Sequence, residues 1–153
     1  MIYLACMKDD FISADSTGVR WLDMEKDYIL ARDYWAAIGQ ELKNSTWMKA
    51  YEFGYEYAAV IEFERIVSIA AVWRFSDKVW ELAAVNTLPS RRQRGYSKRV
   101  VSFVTSSILQ ADRLATCSTD DRNIAMIATA KSVGFKVVPF DQVWWKQPDL
   151  PDF

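Results

Sequence analysis

A run that begins as a strand and ends as a helix, with a single glycine between, constrains this chain more than any other stretch. Residues 78–110 read KVWELAAVNTLPSRRQRGYSKRVVSFVTSSILQ. The first ten are rich in apolar and β-favouring side chains, Pro89 cannot continue a hydrogen-bonded ladder, and Val100, Val101, Val104, Ile108 and Leu109 then recur at helical spacing. Arg91, Arg92, Arg94, Lys98 and Arg99 surround Gly95 in a chain whose net charge is only −1. A basic cluster alone is as often a solvated face as a site. At a strand-to-helix turn it has a second meaning. Gly95 lets the backbone approach a ligand closely, and Tyr96, Ser97 and Lys98 present the unpaired amides of a first helical turn, a terminus that binds anions by geometry and dipole together. The surrounding cations strengthen the attraction, and a pyrophosphate fits such a corner.

The remaining composition excludes several chemistries. The 153 residues are 51% hydrophobic, include no long apolar run, and show no linker, repeat or biased tract, so one soluble domain is expected. The N-terminus, MIYLACMKDD, lacks the basic and apolar segments of a signal peptide, which predicts a cytoplasmic protein without a membrane partner. Asn44-Ser45-Thr46 fits a glycosylation sequon but reads as a polar turn at a helix end. With no histidine and only Cys6 and Cys117, zinc sites, Cys-His nucleophiles and Ser-His-Asp triads are absent by inventory, and no metal is expected. The two thiols read as small buried hydrophobes.

Along the chain, Leu30, Tyr34, Trp35, Ile38 and Leu42 predict an amphipathic helix within residues 26–43. Residues 56–64 and 65–75 predict an antiparallel hairpin turning near Glu64-Arg65, followed by a tight turn at Asp77 and a third strand over 78–87. A short strand over 113–119 precedes a helix capped by Thr119 or Asp120 and closed by Gly134. The intervening helix makes strands 78–87 and 113–119 parallel neighbours, so the fold class is α/β with a mixed, mostly antiparallel central sheet and helices on both faces. Residues 136–147 supply one or two closing strands, interrupted at Pro139.

The stretch Arg92-Gln93-Arg94-Gly95-Tyr96-Ser97 resembles the Gln/Arg-x-x-Gly-x-Gly/Ala pyrophosphate loop of the GNAT superfamily of N-acetyltransferases, which bind acetyl-coenzyme A. Pro89 three residues before Arg92, and NIAMIATAKSVGF over 123–135, match further elements of that family's pattern. The resemblance covers residues 56–138, the expected cofactor-binding core. Residues 1–55 carry no matching motif, and the family places variable, helical acceptor-side elements there. By this resemblance Val85, Asn86 and Thr87 offer backbone groups to the pantetheine arm, while Arg92, Gln93, Arg94, Gly95, Tyr96, Ser97 and Lys98 hold the pyrophosphate. Asn123 matches an asparagine that hydrogen-bonds the cofactor, although a helix-entry role suits it too. Glu81 stands where histone-acetylating members carry a glutamate base, and a carboxylate within VWELAAV has a raised pKa. Its other reading is as a cross-strand partner for a cation. Ser97 replaces the usual Gly or Ala. Ala130 replaces a tyrosine that often protonates the departing thiolate, which leaves Cys117, Ser118, Thr119 or water for that step.

The resemblance therefore implies acetyl transfer from acetyl-coenzyme A to a primary amine in a ternary complex. A coenzyme A-binding module with little catalysis is the alternative, and a nucleic-acid binder using residues 91–99 is disfavoured by the near-neutral charge. A homodimer stays open. Trp73, Trp80, Trp144, Trp145 and the tyrosines of YEFGYEY read as core aromatics, with an acceptor pocket as their other use.

Overall fold

Burial is nearly continuous along the two β-rich runs, because helices cover both faces of the sheet they build. The computed structural model describes residues 1–139. Within them β1 (Ile2–Cys6) and β2 (Val19–Trp21) precede α1 (Tyr28–Ala37) and α2 (Asn44–Glu52). The hairpin β3 (Tyr55–Glu62) and β4 (Arg65–Trp73) follows, then β5 (Val79–Thr87), α3 (Tyr96–Gln110), β6 (Leu114–Thr119), α4 (Ile124–Ser132) and β7 (Lys136–Val138). The strands form one seven-stranded sheet in the order β2-β3-β4-β5-β6-β1-β7. Every neighbouring pair is antiparallel except β5 and β6, the expected parallel crossover.

Two apolar clusters hold helices to the sheet. On one face Val100, Val101, Val104 and Ile108 of α3 are fully buried against Leu4, Val60, Val72, Leu82 and Ala115, with Ala130 and Val133 of the α4 region joining them. Each valine, leucine or isoleucine among them contributes about 1.5–3 kcal/mol by leaving water. On the other face Ala31, Tyr34 and Trp47 of α1 and α2 pack on Tyr57, Ala59, Ile69 and Ala71. Successive residues of β4 thus serve opposite cores, which explains why its sequence is apolar without alternation.

The structure corrects several boundaries. The first helix ends at Ala37, Gly39 turns the chain at φ +80°, and Leu42 lies in the connection to α2. Residues 44–46 begin that second helix instead of ending the first. The β3–β4 turn falls on Phe63-Glu64, both at positive φ, and α4 is capped by Asn123 in place of Thr119 or Asp120. Residues 1–55, expected to be helical, also contribute β1 and β2. β1 enters the sheet between β6 and β7, antiparallel to both, so the N-terminal strand is internal to the sheet. The tail expected to supply a further strand, with Trp144 and Trp145, lies outside the described residues.

The N-terminal segment is also bound to the end of α4. Ile12 N donates to Val133 O at 3.0 Å, and Gly134, at φ +107°, passes so close that a Cβ there would meet Asp10 O at 2.1 Å. Neither the backbone angle nor the space admits a side chain. Gly134→Ala is therefore expected to cost about 2 kcal/mol or more. Chemical denaturation checks this, whereas Gly39→Ala, which meets nothing within 4 Å, should carry only the strain of its own backbone angle.

Candidate active site

The parallel strands β5 and β6 pair only through Val79–Leu114, Trp80–Ala115 and Glu81–Thr116. Past Glu81 they part, and β6 continues to Thr119 paired with β1 alone, while β5 continues to Thr87 paired with β4. The pairing of β5 with β4 also slips by one residue, because Ala71 faces Ala83 while Ile69 faces Asn86. Ala84 sits at that bulge with φ +53°. A bulge bends its strand and re-aims backbone groups, so the β5 edge from 82 to 87 is turned into the gap with its β6-side groups unpaired by strand.

The gap leads to the basic turn. Pro89–Arg91 form one turn of 3-10 helix, Gln93 and Gly95 both take positive φ, and α3 starts at Tyr96 without a side-chain cap. Arg99 N makes the first bond back to Gly95 O, at 3.2 Å, so the amides of Tyr96, Ser97 and Lys98 precede it and face outward from the helix end. A Cβ built on Gly95 meets nothing within 4 Å, as expected of a residue facing open space. Together these elements enclose a cleft of about 700 Å³. Val85, Asn86, Thr87, Arg92, Gln93, Gly95, Tyr96, Ser97, Lys98 and Asn123 line it, joined by Arg91, Ala125, Met126 and Thr129. Arg94 is not in its lining, nor is Glu81. Reading the sequence counted Arg91 among the surrounding cations but not among the loop residues that hold the pyrophosphate, and it missed the α4 residues. The α4 residues have no distinguishing side chain, and only the proximity of α4 to the loop brings them in.

The side chains of the turn are arranged by neighbours. Arg92 Nε donates to Thr87 O at 3.2 Å, folding the loop back on the strand it leaves. The Tyr96 hydroxyl donates to Glu62 at the β3–β4 turn, and Arg91 Nε stands 3.8 Å from the other oxygen of that carboxylate. Arg99 stacks over the Tyr96 ring at 5.3 Å. Asn86 Oδ1 accepts from the buried Tyr34 hydroxyl at 2.7 Å, which ties α1 to the bulged strand. Asn123 uses its side chain locally, accepting from Met126 N and donating to Thr119 Oγ1, both at 3.2 Å. The helix-entry role is thus observed.

Glu81 lies where β5 and β6 separate, on the face that carries α1 and α2. Its carboxyl is pushed above the ordinary value of 4.5 by burial, and Ser118 Oγ, donating at 3.3 Å, offsets part of that rise. No described cation pairs with it. Cys117 points to the other face, where burial raises its thiol to about 12, and Ala130 is fully buried. Ser118 is the hydroxyl that remains close to Glu81. Trp80 also faces the α3 side, between Arg74 and Arg113 at 5.0 and 5.2 Å. Among the described residues no cluster of side chains could hold a metal ion, and no helix is long and apolar enough to cross a membrane.

The family model described as FR47-like protein matches residues 63–145. No curated protein matches the chain. Solved structures do. An acetyltransferase of the GNAT family from Colwellia psychrerythraea aligns over 89% of this chain and 52% of its own, at 16% identity and TM-score 0.72. A GCN5-related N-acetyltransferase from Kribbella flavida aligns over 89% of this chain and 53% of its own, at 19% identity and TM-score 0.61. This chain therefore spans about half the length of those two. AAC(6')-Iy, solved with the bisubstrate analogue CoA-S-monomethyl-acetylneamine, aligns over 77% of this chain and 89% of its own, at 17% identity and TM-score 0.63.

The raised Glu81 carboxyl makes a stability prediction independent of any activity. A folded-state pKa above the unfolded one favours the protonated form, so the penalty is absent below about 4.5 and grows as pH rises through the shifted value. Glu81→Gln should consequently raise the melting temperature at neutral pH, with the gain vanishing toward pH 4. Ser118→Ala should move the Glu81 titration further up, read by carboxyl-carbon NMR.

Proposed function

The chain belongs to the FR47-like protein family and has the GNAT acetyltransferase fold, and from that premise we propose that it transfers an acetyl group from acetyl-coenzyme A to a primary amine. The observation that carries the reading is the cleft in which the parted edge of β5 runs directly into the Gly95 turn. The residues suit this cosubstrate at each end. The β6 side of the Val85–Thr87 edge, which no strand covers and where Arg92 already holds Thr87 O, offers an extended, amide-bearing arm the remaining bonds of an added strand. The amides of Tyr96 to Lys98, with Arg91, Arg92 and Lys98, offer a pyrophosphate donors and charge of the right sign.

Bound there, acetyl-coenzyme A supplies an activated acyl group whose C–S bond is exchanged for a C–N bond to the amine. The chain's own contribution begins with position. α1, tied to Asn86 by Tyr34, and the sheet face bearing Glu81 confine the acceptor beside the end of the arm, so that approach is intramolecular in effect. Backbone amides near the Ala84 bulge polarise the acyl carbonyl. Glu81, with its raised pKa, takes the proton of the acceptor ammonium, directly or through water. The thiolate leaves without a tyrosine at position 130 and takes its proton from Ser118 or water.

A coenzyme A-binding role with little turnover is the second reading, favoured by the fully buried Ala130 where an acid is often found. Kinetics separate the two.

Gly95→Val tests the binding half. A β-branched residue at φ +82° is strained and fills the open space of the turn. Calorimetric coenzyme A binding should be lost while near-UV circular dichroism stays native, and normal affinity in the folded variant removes this turn from the site. Glu81→Gln tests the chemistry. Acetyl-coenzyme A affinity should hold, while thiol release slows about a hundredfold or more at neutral pH. That deficit should shrink as pH approaches about 10, where the free amine needs no base. A ratio constant with pH assigns Glu81 to structure, and a silent wild type supports the second reading.

A further inference from the structure

At the other end of β5, outside the acetyl-coenzyme A cleft and without relying on it, we propose a second binding site, for a small monocarboxylate. The β4–β5 turn and the residue that leads into β6 enclose a cavity of about 390 Å³, lined by Arg74, Phe75, Ser76, Asp77, Trp80 and Arg113. It shares no residue with the cleft at the Gly95 turn. The nine residues of β5 lie between the two, about 25 Å of extended strand. Its volume is that of a small-molecule site.

The walls are fixed before any ligand arrives. Ser76 Oγ accepts from Val79 N and donates to Val79 O, both at 3.0 Å, and Trp80 Nε1 donates to Ser76 O at 3.0 Å, so the turn and the indole hold one another. The guanidinium carbons of Arg74 and Arg113 stand 5.0 and 5.2 Å from the centre of the Trp80 ring, which gathers two positive charges on one aromatic side chain. Their satisfaction differs. Arg74 pairs with Glu56 at 2.9 Å, whereas Asp112, next to Arg113 in the chain, is engaged by Lys8 at 2.9 Å. Arg113 is half-buried, donates from Nη1 to Ala111 O at 2.6 Å, and keeps its Nε buried without a partner. A guanidinium carries five N–H donors in a planar fork, so Arg113 brings to the cavity a charge and donors that the described residues leave unanswered. A carboxylate supplies both acceptor oxygens and the missing charge. Asp77 sets the limit on that charge. It lines the same cavity, exposed on the turn, and repels a second negative charge, which favours a monocarboxylate over a doubly charged phosphate.

The test is a titration of the protein with benzoate, benzyl alcohol and inorganic phosphate, read by ¹H–¹⁵N NMR at the Trp80 indole and at Arg113 Nε. Benzoate should shift both signals saturably with a Kd of about 1 mM, usual for a ligand of that size, and its neutral analogue benzyl alcohol should not. Arg113→Gln should weaken benzoate by about tenfold or more. Asp77→Asn, an exposed change that leaves the walls in place, should tighten it about threefold, and decides the question if Arg113→Gln does not fold. Gly95→Val should bind benzoate as the wild type does, and loss in that variant traces the signal to the cleft and overturns the second site. A folded Arg113→Gln that binds benzoate as before, or an Asp77→Asn that binds it no better, overturns the assignment. Equal binding of benzyl alcohol overturns the role of the charge. Phosphate binding tighter than benzoate overturns the carboxylate class, and the absence of saturable shifts at both signals overturns the proposal.

Discussion

The structure depends on the parting of two parallel strands. β5 and β6 share three paired positions and then diverge, so that one half of β5 has a strand on only one side. An unpaired edge inside a sheet is costly unless something completes it, and here the opening is held by packing instead of pairing. α3 binds β5 from one side through Val100, Val101 and Val104, while β1, antiparallel to β6, draws that strand the other way. The Ala84 bulge, the Arg92 clasp on Thr87 and the Tyr34 bond to Asn86 then fix the edge that results.

That arrangement links fold to chemistry at a single point. Glu81 occupies the last paired position before the gap, so its carboxyl is close-packed enough to be desolvated but lies beside an opening. The loop that follows β5 gains its charge from side chains and its donors from a helix start. Arg91 and Tyr96 are in turn held by Glu62 from the β3–β4 turn. If the turn holds a phosphate as proposed, a carboxylate beside it opposes the ligand's charge, so Glu62 contributes order to the loop at some electrostatic cost.

Much of this was legible in the sequence where a physical rule is local. The parallel crossover followed from strand, helix and strand in order, and the Gly95 turn from one glycine amid bases. The desolvated setting of Glu81 followed from a carboxylate in an apolar run. What stayed hidden depends on contacts far apart in the chain. Nothing in IYLAC announces that residues 2–6 pair with 115–119 and 136–138, because an apolar pentapeptide fits any sheet interior. The split of the first helix at Gly39 was concealed by an apolar spacing that continues to Leu42. The bulge at Ala84 carries no residue signal at all, since alanine is an unusual occupant of positive φ. Aromatic residues read as core divide in the structure, Trp47 and Tyr57 buried within it, Tyr55 and Trp73 at its margin beside Glu81.

The central claim is that the parted edge of β5 and the Gly95 turn form one continuous site for acetyl-coenzyme A. A crystal structure of the protein with acetyl-coenzyme A tests it most directly. The account predicts pyrophosphate density within hydrogen-bonding distance of the Tyr96, Ser97 and Lys98 amides. It also predicts the extended arm along Val85 to Thr87 and the acetyl group between the Ala84 bulge and Glu81. Density for the cosubstrate at any other surface, with the β5 edge and the turn left unliganded at saturating concentration, would contradict it.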